Sequence, residues 1–518
     1  MSNSAENEFG RIRSFLWPIH RFEWKKLMPM LAMFFLISLN YNVLRTMKDT
    51  LIVTAKSSGA EVIPFIKVWV MLPTAFLMTW VFTRLSNKVS REKVFYSMVT
   101  IFLSYFIFFI AVVYPCRDIL HPHVFADYLE GVLPVGCKGL IAMVRYWTFT
   151  SFYVMAELWG AMILFMCFWS FANEITNIAE AKRFYSLFGV AANFSGVAAG
   201  QASIFLMNGV LCRVLPFGQD SWHRSLILLS TLVVVVGLVT MAIFRWMNQE
   251  VLTDKRFYCP QRSVRLNKPA KQKLSMRESF TYLWKDPYLL NITIIVLAYN
   301  LVINLVEVMW KHQLRQLYPN PVDYGTFMNQ VTTITGVFAT LTALLISGNS
   351  IRRVGWTFTA LIAPVILFVT SLLFFGTFFF GDWLMGAGFF VVAASPLAMT
   401  VFFGTAQNCL SRAAKYTVFD ETKEMAFIPL ESDYKLKGKA AIDGVCSRLG
   451  KSGGAVIHQG LLLTFSTLTA SAPYVAAILF GVIALWIKAV FSLGKRFQSI
   501  TEEESVEIPQ ETVAPVAV

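Results

Sequence analysis

Charge is what this chain has least of. Asp, Glu, Lys and Arg make up 15% of its 518 residues, against roughly 25% in soluble globular proteins. Acidic residues are the scarcer sign, 31 against 45 Lys and Arg. Histidine and cysteine are also sparse, at 6 and 7. No C-x-x-C is present, so no structural zinc site is expected. Cys116 and Cys137 are the one candidate disulfide, if their loop lies outside the cell. His121 and His123 stand two apart without a supporting Cys or carboxylate pattern, and the expected metal set is none. Residues 1–27 hold Arg11, Arg13, Arg21, Lys25 and Lys26 without a short apolar core and cleavage site. The first apolar span is therefore expected to serve as an uncleaved insertion signal.

What the chain has instead is hydrocarbon. Hydrophobic residues reach 56%, with 46 Phe, which excludes an ordinary soluble domain and defines an all-α polytopic membrane protein. A net charge of +14 would suggest nucleic acid in a soluble chain, but here the basic residues fall between apolar spans. Roughly 31 of the Lys and Arg lie in segments placed inside and about 9 in segments placed outside, so topology accounts for them and no nucleic-acid partner is expected. Spans of roughly 20 residues cross the hydrocarbon. Six fit at 28–48, 62–84, 94–115, 146–172, 185–209 and 224–246, and six more at 287–310, 325–348, 354–380, 384–411, 440–468 and 473–494. The expected organisation is a cytoplasmic N-terminus (1–27), a six-helix bundle (28–246), a basic cytoplasmic linker against anionic lipid (247–286), a second six-helix bundle (287–494) and a cytoplasmic tail (495–518), disordered after Thr501. An even number of spans with the basic loops on one side is expected to put both termini in the cytoplasm.

The chain is organised around N-Y-N-V-L-R-T-M-K-D at 40–49, which closes the first span. An ionisable group at a helix centre costs roughly 2.5–3.5 kcal/mol on insertion scales, so such groups face a bundle interior and serve a pathway. Ser38, Tyr41, Arg45 and Lys48 recur at helical spacing and form one polar stripe. The stripe has an echo: N-L-V-E-V-M-W-K at 304–311, slid back 262 places, sets Asn304 on Asn42 and Glu307 on Arg45. A second echo, displaced by 254, sets Gly196 and Gly200 on Gly450 and Gly454, a G-x-x-x-G in each half that lets helices approach closely. Repeated halves with polar groups at matching depth are how many transporters build a central site.

Other intramembrane charges join this pair. Glu157 is the one formal charge in its span, with Tyr153 a turn earlier. Asn300, Asn304, Glu307 and Lys311 share a helix face. Ser447, Lys451 and His458 share another, with Lys451 about 16 Å into its span. G-K-S at 450–452 is not a P-loop, because the spacing from Gly444 is wrong and no strand precedes it. For Lys48 and Lys311 the competing reading is a snorkel to the interface, and Lys67 reads as an interfacial anchor. The candidate substrate-binding set is Lys48, Glu157, Glu307, Lys451, Arg45, Tyr41, Tyr153, Asn300, Asn304 and Ser447. No catalytic constellation, and hence no enzyme and no cofactor, is expected.

Several of these stretches are long enough to carry a resemblance. N-V-L-R-T-M-K-D-T-L-I-V-T at 42–54, F-Y-V-M-A-E-L-W-G at 152–160, I-N-L-V-E-V-M-W-K at 303–311, and K-G-K-A-A-I-D-G-V-C with L-G-K-S-G-G at 437–454 resemble the ATP/ADP translocases of chlamydiae, rickettsiae and plastids. The resemblance implies a major-facilitator-like fold and an exchanger bringing ATP inward against ADP. It also implies that the family's two functional lysines and two glutamates fall on Lys48, Glu157, Glu307 and Lys451. Members that import nucleoside triphosphates with protons, or carry NAD, share these motifs and remain the alternatives. The expectation is thus a monomeric, twelve-helix ATP/ADP antiporter working by alternating access, with membrane lipids as its other partners.

Overall fold

The computed structural model describes residues 19–176, 178–254, 257, 286–345, 355–387, 395–429, 442 and 446–507. Most of the 247–286 linker, the first 18 residues, the last 11 and the 430–441 stretch lie outside them. The described residues form twelve long helical units: α1 (Trp24–Val53), α2 (Val62–Lys88), α3 (Arg91–Val113), α4 (Trp147–Ile175), α5 (Ile178–Asn208), α6 (Ser221–Val251), α7 (Pro287–Leu317), α8 (Pro321–Leu345), α9 (Trp356–Gly386), α10 (Pro396–Ala414), α11 (Ser447–Phe465) and α12 (Leu468–Glu507). Nine of these are long and apolar enough to cross a membrane, counting described residues only. The other three, α8, α10 and α11, carry the polar groups that meet neighbouring helices. Asn329 on α8, Gln407, Asn408 and Ser411 on α10, and His458 and Gln459 on α11 are all buried. Polar and small residues of this kind join helices where lipid offers no hydrophobic drive between them.

Local chemistry sets the helix ends. Asp220 accepts from the His223 amide, Asp286 from the Tyr288 amide ahead of Pro287, and Ser395 from the Ala398 amide ahead of Pro396, so three N-termini are capped by short polar side chains. Helix α11 ends at Ser466 in the left-handed region, φ 67°. Helix α12 runs on to Glu507, past the boundary at 494 and through the first part of the expected tail. Helix α10 continues through a π turn (Lys415–Phe419) into Asp420–Ala426, so Arg412 lies on a helix rather than in a loop.

In the first bundle α1 packs against α4, α5 and α6; in the second α7 packs against α10, α11 and α12. Helices α5 and α8 form the longest seam between the halves, and α11 leans on α2. Both G-x-x-x-G motifs lie in close contacts, but with different partners. A β-carbon on Gly200 would come within 2.5 Å of the Asn329 carbonyl on α8, across the seam, whereas one on Gly454 would meet Asn304 on α7, inside its own bundle, at 2.9 Å. The start of α1 and the end of α12 lie on one side of the molecule, the terminus side.

The expected 116–145 loop contains the helices Arg117–Leu120, His123–Val132 and Lys138–Arg145. His121 is buried in it, its Nε2 2.6 Å from Thr148 Oγ1 and its ring edge-on to Tyr146 and Phe149. This is a packing role, and no group of three metal-ligating residues occurs among the described residues. Cys116 and Cys137 are both free, so the candidate disulfide is not formed.

Candidate nucleotide site between the bundles

Two ion pairs join α1 to α7. Arg45 Nη2 lies 3.4 Å from Glu307 Oε1, and Lys311 Nζ donates to Asp49 Oδ2 at 2.8 Å. Each pair spans 262 residues, so each side chain meets its own repeat counterpart, with the signs exchanged. Helices related by a two-fold axis that lies between them bring equivalent positions face to face. Identical charges there would repel, and opposite ones can share their desolvation cost.

The cluster extends from these pairs. Asp49 is fully buried and also accepts from Lys48 at 3.1 Å. Lys48 stands 3.3 Å from Glu157 on α4 and 3.7 Å over the Tyr153 ring. Glu307 has Lys311 at 3.1 Å and Arg412 at 3.5 Å as well as Arg45. The second half does not copy the Lys48–Glu157 pair. Trp310, the counterpart of Lys48, donates instead to Thr405 on α10 at 3.2 Å. The repeat thus supplies a shared frame on which one side has become more strongly charged.

The snorkelling alternative for Lys48 and Lys311 fails, because both are buried among carboxylates, 3% and 2% exposed. Lys67 is not an interfacial anchor either. It sits in the π turn Ile66–Met71 of α2 and donates to Asn304 Oδ1 on α7 at 2.5 Å. Asn300 bonds the Val296 carbonyl of its own helix. The Tyr41 ring lies against Gly160, where a β-carbon would come within 2.8 Å of it, at the start of the π stretch Gly160–Phe168 that follows Glu157. Lys451 is exposed on α11, next to the Gly450 that packs on Asn300. It therefore stands about 10 Å on the terminus side of Glu307, counting 1.5 Å per residue along α7. His458, on the same face in sequence, turns into α7 and is 3.1 Å from the Leu305 carbonyl. The Ser447 side chain lies outside the described residues.

Sequence reasoning missed Asp49 and Arg412 as members of the cluster and misread Lys67. Asp49 had a signal available, since the offset that pairs Arg45 with Glu307 also pairs Asp49 with Lys311. Lys67 had none, because no spacing rule relates α2 to α7.

Hydrogen bonds between the bundles run from this level to the side away from the termini. Gln201 meets Thr333, Asn208 meets Thr326, Trp69 and Gln459 join α2 to α11, and Arg315 donates to the Ala55 carbonyl. A cavity of about 1110 Å³ opens on that far side, lined by Lys56, Arg117, His121, Arg145 and Asp220 among others. It also touches Leu51 and Thr54 at the end of α1, beyond the cluster rather than around it.

A knot of opposite charges held between two six-helix bundles defines a two-bundle membrane transporter. The family described as TLC ATP/ADP transporter matches residues 2–497, and the chain belongs to that family. It is 47% identical over 517 residues to ADP,ATP carrier protein 1 of Chlamydia pneumoniae, covering 100% of both chains. It is 40% identical over 499 residues to ADP,ATP carrier protein 2, chloroplastic, of Arabidopsis thaliana, covering 95% of this chain and 78% of that one. In fold it is similar to a bacterial homologue of the iron transporter ferroportin in an inward-facing state, with a TM-score of 0.55 and 14% identity, covering 92% of this chain and 100% of that one. The architecture is thus the expected all-α, major-facilitator-like one.

Proposed function

We propose that this chain is an ATP/ADP antiporter that holds its nucleotide between the two bundles and moves it by alternating access. The observation that carries this reading is the interbundle charge cluster, in which Arg45, Lys48, Lys67, Lys311 and Arg412 outnumber Asp49, Glu157 and Glu307, in a chain whose relatives are named ADP,ATP carriers. A surplus of cations between the bundles calls for an anion, and a polyphosphate suits it. Lys451 meets the phosphates from the terminus side, and Arg45 and Lys48 receive them at the cluster. Glu157 and Glu307 offset those cations when the site is empty, and Tyr41, Tyr153, Asn300 and Ser447 shape the remaining surface. Both termini face the cytoplasm, following the bias of Lys and Arg, and ATP moves inward as ADP leaves. The protein acts as a monomer in the bacterial cell membrane and catalyses no reaction.

Uptake of radiolabelled ATP into proteoliposomes preloaded with ADP, GTP or buffer tests the reading. Exchange requires that internal ADP drive uptake. Equal uptake into buffer-loaded vesicles contradicts it and favours a proton-coupled importer.

A further inference from the structure

Within the cluster Lys67 differs from its neighbours. Arg45, Lys48, Lys311 and Arg412 each lie within 3.5 Å of a carboxylate oxygen, whereas Lys67 donates to the neutral amide oxygen of Asn304. It shares its electrostatic surroundings with Glu307, Lys311, Lys48 and Glu157, but the carboxylates are engaged by the other cations. An ammonium has three protons to donate, and an amide oxygen is a weaker acceptor for a half-buried cation than an anionic one. The helix is shaped to present this group. The π turn Ile66–Met71 carries it, the Trp69–Gln459 bond and the Gln459 bond to the Pro64 carbonyl fix α2 against α11 on either side, and Gly454 lets α11 lie close to Asn304.

We propose that Lys67 is a phosphate ligand of the nucleotide site, and that the Asn304 amide holds its place until a phosphate oxygen takes over. The inference rests on the nucleotide reading above and extends it to a residue outside the two-lysine, two-glutamate set. Lys67 belongs to the first bundle and Asn304 to the second, so the exchange of partners has a mechanical consequence. Binding replaces a direct bond between the bundles by one that runs through the substrate, and loosens the α2–α7 contact when the site is loaded.

The test uses purified full-length protein and three probes, ATP, adenosine and inorganic pyrophosphate, with binding read by titration. Lys67→Gln should weaken ATP and pyrophosphate by about ten- to a hundred-fold, the factor expected for one charge-assisted hydrogen bond, and adenosine by less than about threefold. Thermal stability of the empty protein should be unchanged or higher, because Gln can still donate to Asn304. Wild-type ATP affinity in Lys67→Gln overturns the inference and leaves the exchange reading intact. Equal losses for ATP and adenosine overturn it as well. Lys67-dependent pyrophosphate binding in a protein that takes up no nucleotide would uphold Lys67 while removing the nucleotide reading.

Discussion

Replacing Asp49 by Asn and Lys311 by Met, singly and together, probes the best-buried pair between the bundles. Their atoms are 2.8 Å apart, with the side chains 0% and 2% exposed. At an effective dielectric of about 20, unit charges at that distance attract by roughly 6 kcal/mol, and desolvation of the two ions offsets much of it. Removing one partner of a buried pair costs roughly 3–5 kcal/mol because the other is left uncompensated. Each survivor here keeps a second contact, Asp49 with Lys48 and Lys311 with Glu307, so the single losses should fall near the lower end, about 3 kcal/mol. The double variant leaves neither charge stranded and should recover most of that stability, giving a coupling of at least about 2 kcal/mol. Unfolding in detergent, followed for the four proteins, measures it. Losses that add to within about 0.5 kcal/mol would show that the two residues do not act as a pair. The same cycle on Arg45 and Glu307 should give a smaller coupling, since these side chains are 24% and 14% exposed and Glu307 keeps two other cations.

Lys451→Gln should weaken ATP binding by roughly 1.5–3 kcal/mol and adenosine far less; equal losses would mark a packing defect. Gly200→Ala drives a methyl into the Asn329 carbonyl and should cost about 1–3 kcal/mol in overpacking, whereas an unchanged unfolding temperature would show that the α5–α8 seam yields there. Burial against Tyr146 and Phe149, and then the nearby His123, push the His121 imidazole down to about 4. The unfolded chain, near pKa 6.5, binds the proton first. The stability that neutral His121 contributes is therefore full above about pH 6.5 and lost as the pH falls toward 4. The unfolding temperature of the wild type should drop more steeply over that window than that of His121→Gln, and parallel curves would refute the assignment.

The fold was legible because membrane helices write themselves in hydropathy, and because a duplicated chain repeats its depth markers. Arg45 and Glu307 were found as counterparts through the 262-residue offset, and the structure sets them 3.4 Å apart. The offset worked because α1 and α7 lie at the two-fold axis, where counterparts touch. It fails away from the axis. Gly200 and Gly454 are counterparts too, yet one faces α8 and the other α7, because α5 has both α1 and α8 as close neighbours and the motif does not say which. Lys67 was misread for a related reason. Its position near the start of a span is what snorkelling needs, and only the packing of α2 and α11 over α7 shows that it points inward. Lys48 and Glu157 were each visible as lone charges in apolar runs, but their pairing, and the Tyr153 ring beneath Lys48, needed coordinates.

The account stands on the bundles parting along the α5–α8 seam on the far side, where Asn208 Nδ2 meets Thr326 Oγ1 at 3.2 Å. Cysteines at these two positions, bridged by a short cleavable bifunctional thiol reagent, should abolish ATP/ADP exchange in proteoliposomes. ATP binding from the terminus side should survive, and cleavage of the bridge should restore exchange. Exchange at the unbridged rate in fully bridged protein would contradict the account.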